Sequence, residues 1–138
     1  MRLKALFTER YSVVAVLDGD ICPAEDFLTS GEEATRASRE GFLMFLQFIA
    51  ENGFDKAPVS WSHEANKKNG IYEFRKGKLR LFFFKGLNGQ IAVCTTGVRK
   101  TTAKADKSAV KLAIEYKNNY FVAAKKEELV LIQEDENK

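Results

Sequence analysis

Three strand-like runs joined by two hairpin turns constrain this chain more than any other feature. They are Ile71 to Lys76 (IYEFRK), Leu79 to Lys85 (LRLFFFK) and Gln90 to Thr96 (QIAVCTT). Each is rich in the aromatic and β-branched residues that fit a pleated surface. Gly77-Lys78 suits a two-residue hairpin with glycine first, and Asn88-Gly89 is a strong primed-turn signal. The runs predict an antiparallel meander with LRLFFFK, the most apolar of them, at its centre. The turns also set the register. Arg75 should face Arg80, Glu73 should face Phe82, Thr95 should oppose Phe82 and Cys94 should oppose Phe83. Side chains alternate along a strand. Glu73, Arg75, Arg80 and Phe82 then share one face of the sheet, and Tyr72, Phe74, Leu79, Leu81 and Phe83 share the other.

Helical segments flank the meander. Tyr11 to Leu17 reads as a strand ended by Asp18-Gly19-Asp20, and Cys22 to Leu28 as a short helical turn with proline near its start. Glu32 to Asn52 reads as the main helix, with Phe42, Phe45, Leu46 and Ile49 at the spacing of a buried stripe. Residues 55–69 show no clear period and read as a connecting loop with room for one helical turn. Lys104 to about Glu128 is helical in composition, and Leu129 to Ile132 reads as a last short strand or a helix end. The expected architecture is therefore α+β. An antiparallel meander of about three to four strands carries the N-terminal helices on one face and the C-terminal helix near an edge. The 138 residues fit a single domain, 1–138, with its core over about 11–122 and a frayed tail over 133–138.

Charge divides the chain. The segment from Lys67 to Lys107 holds eleven Lys or Arg against Glu73 and Asp106, a balance of +9 in a chain of net charge +3. Residues 18–55 hold nine acids against Arg36 and Arg39. A field of one sign gathered on one surface attracts a polyanion, and nucleic acid is the commonest one. The apolar runs fall short of a membrane span, no signal-peptide core follows Met1, and a cytoplasmic protein without a membrane contact is expected. Cys22 and Cys94 show no metal-ligand spacing and read as reduced, buried thiols. No cofactor and no metal are called for.

The face carrying Glu73, Arg75, Arg80 and Phe82 holds the candidate chemistry. Two arginines directly opposed cost stability, from tenths of a kcal/mol to about 1. A phosphate lying between them would remove that repulsion and accept from both guanidinium groups. Glu73 suits either the holding of Arg75 or the role of a base. Phe82 offers a surface on which a base could stack. Arg99, Lys100 and Lys104 follow the third strand, and Lys67 and Lys68 precede the first. Lys76 and Lys78 complete the set of basic residues for RNA binding, although each taken singly is an ordinary solubilising residue of a wet sheet face.

The run Asn69-Gly70-Ile71-Tyr72-Glu73-Phe74-Arg75-Lys76-Gly77-Lys78-Leu79-Arg80-Leu81-Phe82-Phe83 resembles the signature of RelE/HigB-type toxins, in particular the phage-derived branch with its Gly-Leu-Tyr-Glu-Leu-Arg pattern. A third strand ending Thr95-Thr96-Gly97, then Val98-Arg99-Lys100-Thr101, then a helix bearing Ala109 and Ala113, is similar as well, as is Ala50-Glu51-Asn52-Gly53 before the loop. The resemblance covers most of Leu17 to Tyr120. It implies a small RelE-like α/β microbial RNase that cleaves mRNA, commonly on the ribosome, and is held inactive by a cognate antitoxin, here expected to be a helix-turn-helix DNA-binding protein. It implies metal-independent attack by the ribose 2′-hydroxyl on the adjacent phosphorus, leaving a 2′,3′-cyclic phosphate. Arg75 and Arg80 match the phosphate-stabilising positions. Arg99 and Lys100 match the basic residues after the last strand, with leaving-group assistance as their role. Lys67 or Lys68 matches the lysine-bearing segment before the hairpin. The family's proline after the last strand is replaced by Thr101-Thr102-Ala103-Lys104, and no histidine or tyrosine follows Arg99 until Tyr116. The general base stays open among Glu73, Glu64, His63 and a lysine. The rival readings are a nucleic-acid-binding module of phage or mobile-element origin that has lost the acid/base groups, and a protein-interaction factor.

Overall fold

The computed structural model describes residues 1–100 and 103–133, leaving out the side chains of residues 103–105. The strands are β1 (Arg2–Thr8), β2 (Ser12–Val16), β3 (Ser62–Asn66), β4 (Ile71–Lys76), β5 (Leu79–Phe84), β6 (Gln90–Arg99) and β7 (Val130–Ile132), and the helices are α1 (Pro23–Thr29), α2 (Arg36–Asn52) and α3 (Ala103–Lys125). The strands form one sheet in the order β3-β4-β5-β6-β2-β1-β7. β2 runs parallel to β6 and β7 parallel to β1, and the remaining pairs are antiparallel. The architecture is thus α+β with a seven-stranded mixed sheet, and the expected meander of three to four antiparallel strands is corrected. The meander is present as β4-β5-β6. β2 joins it through a parallel pairing between residues about eighty apart in sequence, for which local turn chemistry gives no signal.

The hairpin turns fold as their chemistry dictates. Gly77 takes a positive φ of 57° between the paired Lys76 and Leu79. Asn88 and Gly89 both take positive φ, 53° and 82°, the combination a primed turn requires. The β4–β5 register follows: Arg75 pairs with Arg80 and Glu73 with Phe82. Cys94 pairs with Phe83, and the irregularity between Leu81 and Phe83 sets both Thr95 and Thr96 across from Phe82, whose carbonyl accepts from the Thr95 hydroxyl at 3.2 Å.

Both faces of the sheet are covered. On one, α1 and α2 bury Phe42, Phe45, Leu46 and Ile49 against Phe74, Leu79, Leu81 and Phe83. Gly97 lets α1 approach β6 closely, because a Cβ there would lie 2.2 Å from the Phe27 ring. Trp61 stacks on Phe45 at 4.1 Å between ring centroids. On the other face, Ala109, Ala113 and Tyr120 of α3 pack on Ile71, Phe82, Phe84 and Val93. The small alanines let the helix lie down on the strands, and Tyr120 donates from its hydroxyl to Gln90 at 2.5 Å while accepting from the Leu87 N–H at 2.9 Å. The C-terminal helix therefore lies across a face of the sheet rather than near its edge. The remaining tail, 134–138, lies outside the described residues. No helix among the described residues is long and apolar enough to cross a membrane. Cys22 and Cys94 are free and buried.

Candidate functional site

β4 and β5 bring Glu73, Arg75 and Arg80 together at the margin of the α3-covered face. Glu73 is 8% exposed, and one of its carboxylate oxygens serves both arginines. Arg75 Nε donates to Oε2 at 3.3 Å. Arg80 Nε lies 3.2 Å from the same oxygen, but its N–H does not point at it, so that contact is ionic without being a hydrogen bond. Arg80 is the more enclosed, with 14% of its side chain exposed, and its Nη1 donates to the carbonyls of Gly77 and Leu79 at 2.8 and 2.9 Å. It is locked into the hairpin turn. Arg75 is 41% exposed along its side chain, and its terminal nitrogens have no partner among the described residues.

This arrangement changes the energetic meaning of the opposed arginines. Their repulsion is offset inside the fold by Glu73, so the pair needs no phosphate to be tolerated. Glu73 is thereby committed as the group that orients both guanidinium planes. Arg75 is left with a partly exposed planar fork that can donate to two oxygens of a phosphate.

His63 joins the group through β3. Residues 54–66 form two 3₁₀ turns, Phe54–Lys56 and Val59–Trp61, and then the edge strand β3, where a loop with at most one helical turn was expected. In β3, His63 pairs directly with Glu73. Directly paired residues hold their Cβ atoms about 4.5–5.5 Å apart on one face. The His63 Nε2 lies 3.0 Å from the Ser60 carbonyl. A carbonyl only accepts, so Nε2 carries a proton, and the tautomer this selects has its lone pair at Nδ1. Glu64 pairs with Tyr72 and faces the α2 side, away from Arg75. That placement removes Glu64 from the candidates for the base.

The remaining basic residues divide between the faces, which corrects the expectation of one continuous basic surface. Lys100 stays with the arginines. It follows Val98, the partner of Arg80, by two residues, its N–H donates to the Lys78 carbonyl at 2.6 Å, and its Nζ lies 3.4 Å from Asp106 Oδ2. Lys78 is exposed in the turn beside it. Lys76 lies on the opposite side, with its ammonium over the Phe45 ring and its stem against Gly41. Arg99 pairs with Leu79, turns to the same side and donates to Glu32 at 3.2 Å. Lys76 and Arg99 are therefore on the wrong face to bind an RNA held by Arg75. Phe82 is 1% exposed under α3, and a ring with no open surface cannot stack on a base. Lys67 and Lys68 are exposed in the β3–β4 turn, at the far end of β4 from Arg75. Four residues of strand, about 14 Å at the usual rise, separate Ile71 from Arg75. The Lys104 side chain lies outside the described residues.

One neighbour of the site had no functional signal in the sequence: Asp106 entered only as an acid in the charge balance. Asp106 Oδ2 meets Lys100, while its Oδ1 is buried without a partner among the described residues. No protein-family model matches the chain, and no curated protein matches it.

Proposed function

We propose that the chain is an endoribonuclease of the RelE/HigB type that its sequence resembles, cleaving RNA by attack of a ribose 2′-hydroxyl on the adjacent phosphorus. The observation that carries the reading is the grouping of His63, Glu73, Arg75 and Arg80 on one face across three neighbouring strands. The reaction removes a proton from the 2′-hydroxyl, gathers negative charge on a phosphorane, and expels a 5′-oxygen that needs a proton or a cation. In this reading the free Nδ1 of His63 takes the proton. The Arg75 fork grips the non-bridging oxygens, and Arg80, fixed by the turn, contributes a second positive charge where negative charge develops. Glu73 is a positioning residue that keeps both guanidinium groups from swinging away. Lys100, two residues beyond the Val98 that pairs with Arg80, is the cation assigned to the leaving oxygen.

The substrate in this reading is mRNA, free or on the ribosome, and the partner that restrains the enzyme is a cognate antitoxin, a small helix-turn-helix DNA-binding protein. The test is incubation of the purified chain with a short RNA and with the same oligonucleotide carrying 2′-deoxyribose throughout, both in EDTA. The reading expects cleavage of the RNA alone, with 2′,3′-cyclic phosphate ends. Binding of both oligonucleotides with cleavage of neither would contradict it and favour a binding module.

A further inference from the structure

A groove of about 270 Å³ opens on the α2 side of the sheet, where the end of α1, the start of α2 and the last residues of β6 meet. Phe27 and Leu79 supply apolar walls. Arg39 of α2 and Arg99 of β6 bring two positive charges to it from separate elements. The groove stands on the face opposite to Arg75, and the cleavage reading makes no use of it.

Both arginines converge on Glu32, which also lines the groove. Arg39 is fixed in place: its Nε donates to Thr35 Oγ1 at 3.2 Å and its Nη2 to the Glu32 carbonyl at 3.0 Å. Arg99 Nη1 donates to Glu32 Oε2 at 3.2 Å. The other guanidinium nitrogens, Arg39 Nη1 and Arg99 Nε and Nη2, have no partner among the described residues. The Arg99–Glu32 contact is open to water, with 46% of the Arg99 side chain and 74% of the Glu32 side chain exposed. An ion pair that open contributes little to the fold, so Glu32 yields readily to another carboxylate. Its carboxylate marks where an anionic oxygen sits on Arg99, within reach of solvent.

We propose that this groove is a docking site for a peptide segment of a partner protein, one that sets a carboxylate beside an aliphatic side chain. The carboxylate takes the place of Glu32 on Arg99, with Arg39 as the second cation, and a guanidinium fork is suited to both of its oxygens. The aliphatic side chain lies against Phe27 and Leu79. The bound peptide keeps water from the new ion pair, which strengthens it beyond the open pair it replaces. Two observations favour a peptide over RNA. The anion that the structure shows on Arg99 is a carboxylate, and the groove lies on the face away from Arg75. The inference stands without the RNA-cleavage reading, since Arg39 and Arg99 take no part in that chemistry.

The probe is a fluorescein-labelled peptide, Ser-Glu-Leu-Glu-Ser with an amidated end, titrated with the full chain and read by fluorescence anisotropy. Arg39→Gln and Arg99→Gln are each expected to weaken its binding about tenfold, the scale of one charge-assisted hydrogen bond. A peptide with glutamine for both glutamates, and one with serine for leucine, are expected to bind more weakly by a similar factor. Arg75→Gln, on the opposite face, is expected to leave the affinity unchanged. Glu32→Gln, which frees Arg99, is expected to tighten binding about threefold. Glu33→Gln makes the same change of charge at a residue that contacts Arg36 instead, and is expected to leave the affinity as it was. Absence of binding, or a loss in Arg75→Gln as large as in Arg99→Gln, overturns the site. So does a short RNA whose own affinity falls more than the peptide's in Arg39→Gln and Arg99→Gln, a result that would give the groove to nucleic acid.

Discussion

Glu73 decides what the two arginines are for. A carboxylate placed against two guanidinium groups at the rim of the core is a structural group as well as a positioning one. Removing one member of an enclosed ion cluster leaves the others uncompensated. Because Arg75 is partly in water, solvent screens its share of the loss. Glu73→Ala is expected to lower the free energy of unfolding by about 2 kcal/mol, read from urea midpoints. It is also expected to cut RNA more slowly while binding it no less well, since a net positive charge is gained. An unchanged midpoint would show that the trio contributes nothing to the fold. At this scale the sequence was partly legible. Turn chemistry at Gly77-Lys78 placed Arg75 across from Arg80, and alternation put Glu73 on their face. The shared counter-ion was not legible, because whether a glutamate reaches one arginine or two depends on side-chain rotamers and on the burial that α3 supplies.

The elements show where pattern reading stops. α1, the second half of α2 and the three meander strands carry their own punctuation in Pro23, Gly53, Gly77 and Asn88-Gly89. β3 does not. Its sequence Ser-His-Glu-Ala-Asn has no apolar alternation, as suits an edge strand half open to water. β1 sets Arg2 and Lys4 on either side of Leu3; it pairs with β2 across Glu9-Arg10-Tyr11, which holds none of the usual turn residues, and with β7 from the far end of the sequence. The position of α3 did have a signal. Phe82-Phe83-Phe84 fills both faces of β5, and a sheet with one wet face has no use for that. Phe82 is consequently a core residue. Phe82→Ala is expected to cost about 3–5 kcal/mol of stability, as deletions of buried aromatic side chains do. Thermal or urea unfolding checks it. A variant of wild-type stability that had lost RNA affinity would instead place Phe82 at the RNA surface.

The whole molecule is a sheet closed on both sides, and its buried thiols and phenols give it a characteristic alkaline limit. Burial raises Cys22 and Cys94 from the ordinary thiol value of 9.0, with Cys22 adding to the shift at Cys94. Burial likewise raises Tyr120 and Tyr116 from 10.0, with the Asp18 carboxylate adding to the shift at Tyr116. Each of these groups binds its proton more tightly folded than unfolded. Their contribution is complete below the unfolded values and is lost as pH rises through and beyond them. The urea midpoint is expected to fall between about pH 8 and about pH 10.5, and to fall less in Cys94→Ala measured against its own value at the lower pH. Equal midpoints for the unsubstituted chain at the two pH values would contradict the enclosure of these groups. The same closure explains why the charge run from Lys67 to Lys107 does not form one surface. Strand alternation sends Lys76 and Arg99 to the α2 side and leaves Arg75, Arg80 and Lys100 on the other. Net charge along the sequence led to the expectation of a polyanion partner, and the proposed RNA contact is confined to one corner of the fold.

The central claim is that Arg75 grips a phosphate more tightly in the transition state than in the bound RNA. Single-turnover cleavage and equilibrium binding of one RNA, measured in EDTA for the wild-type chain and for Arg75→Ala, test it most directly. The account predicts cyclic-phosphate products from the wild type, and a rate at least about a hundredfold lower in the variant with affinity changed by no more than about threefold. A variant that cuts at the wild-type rate, or one whose rate and affinity fall by the same factor, would contradict it.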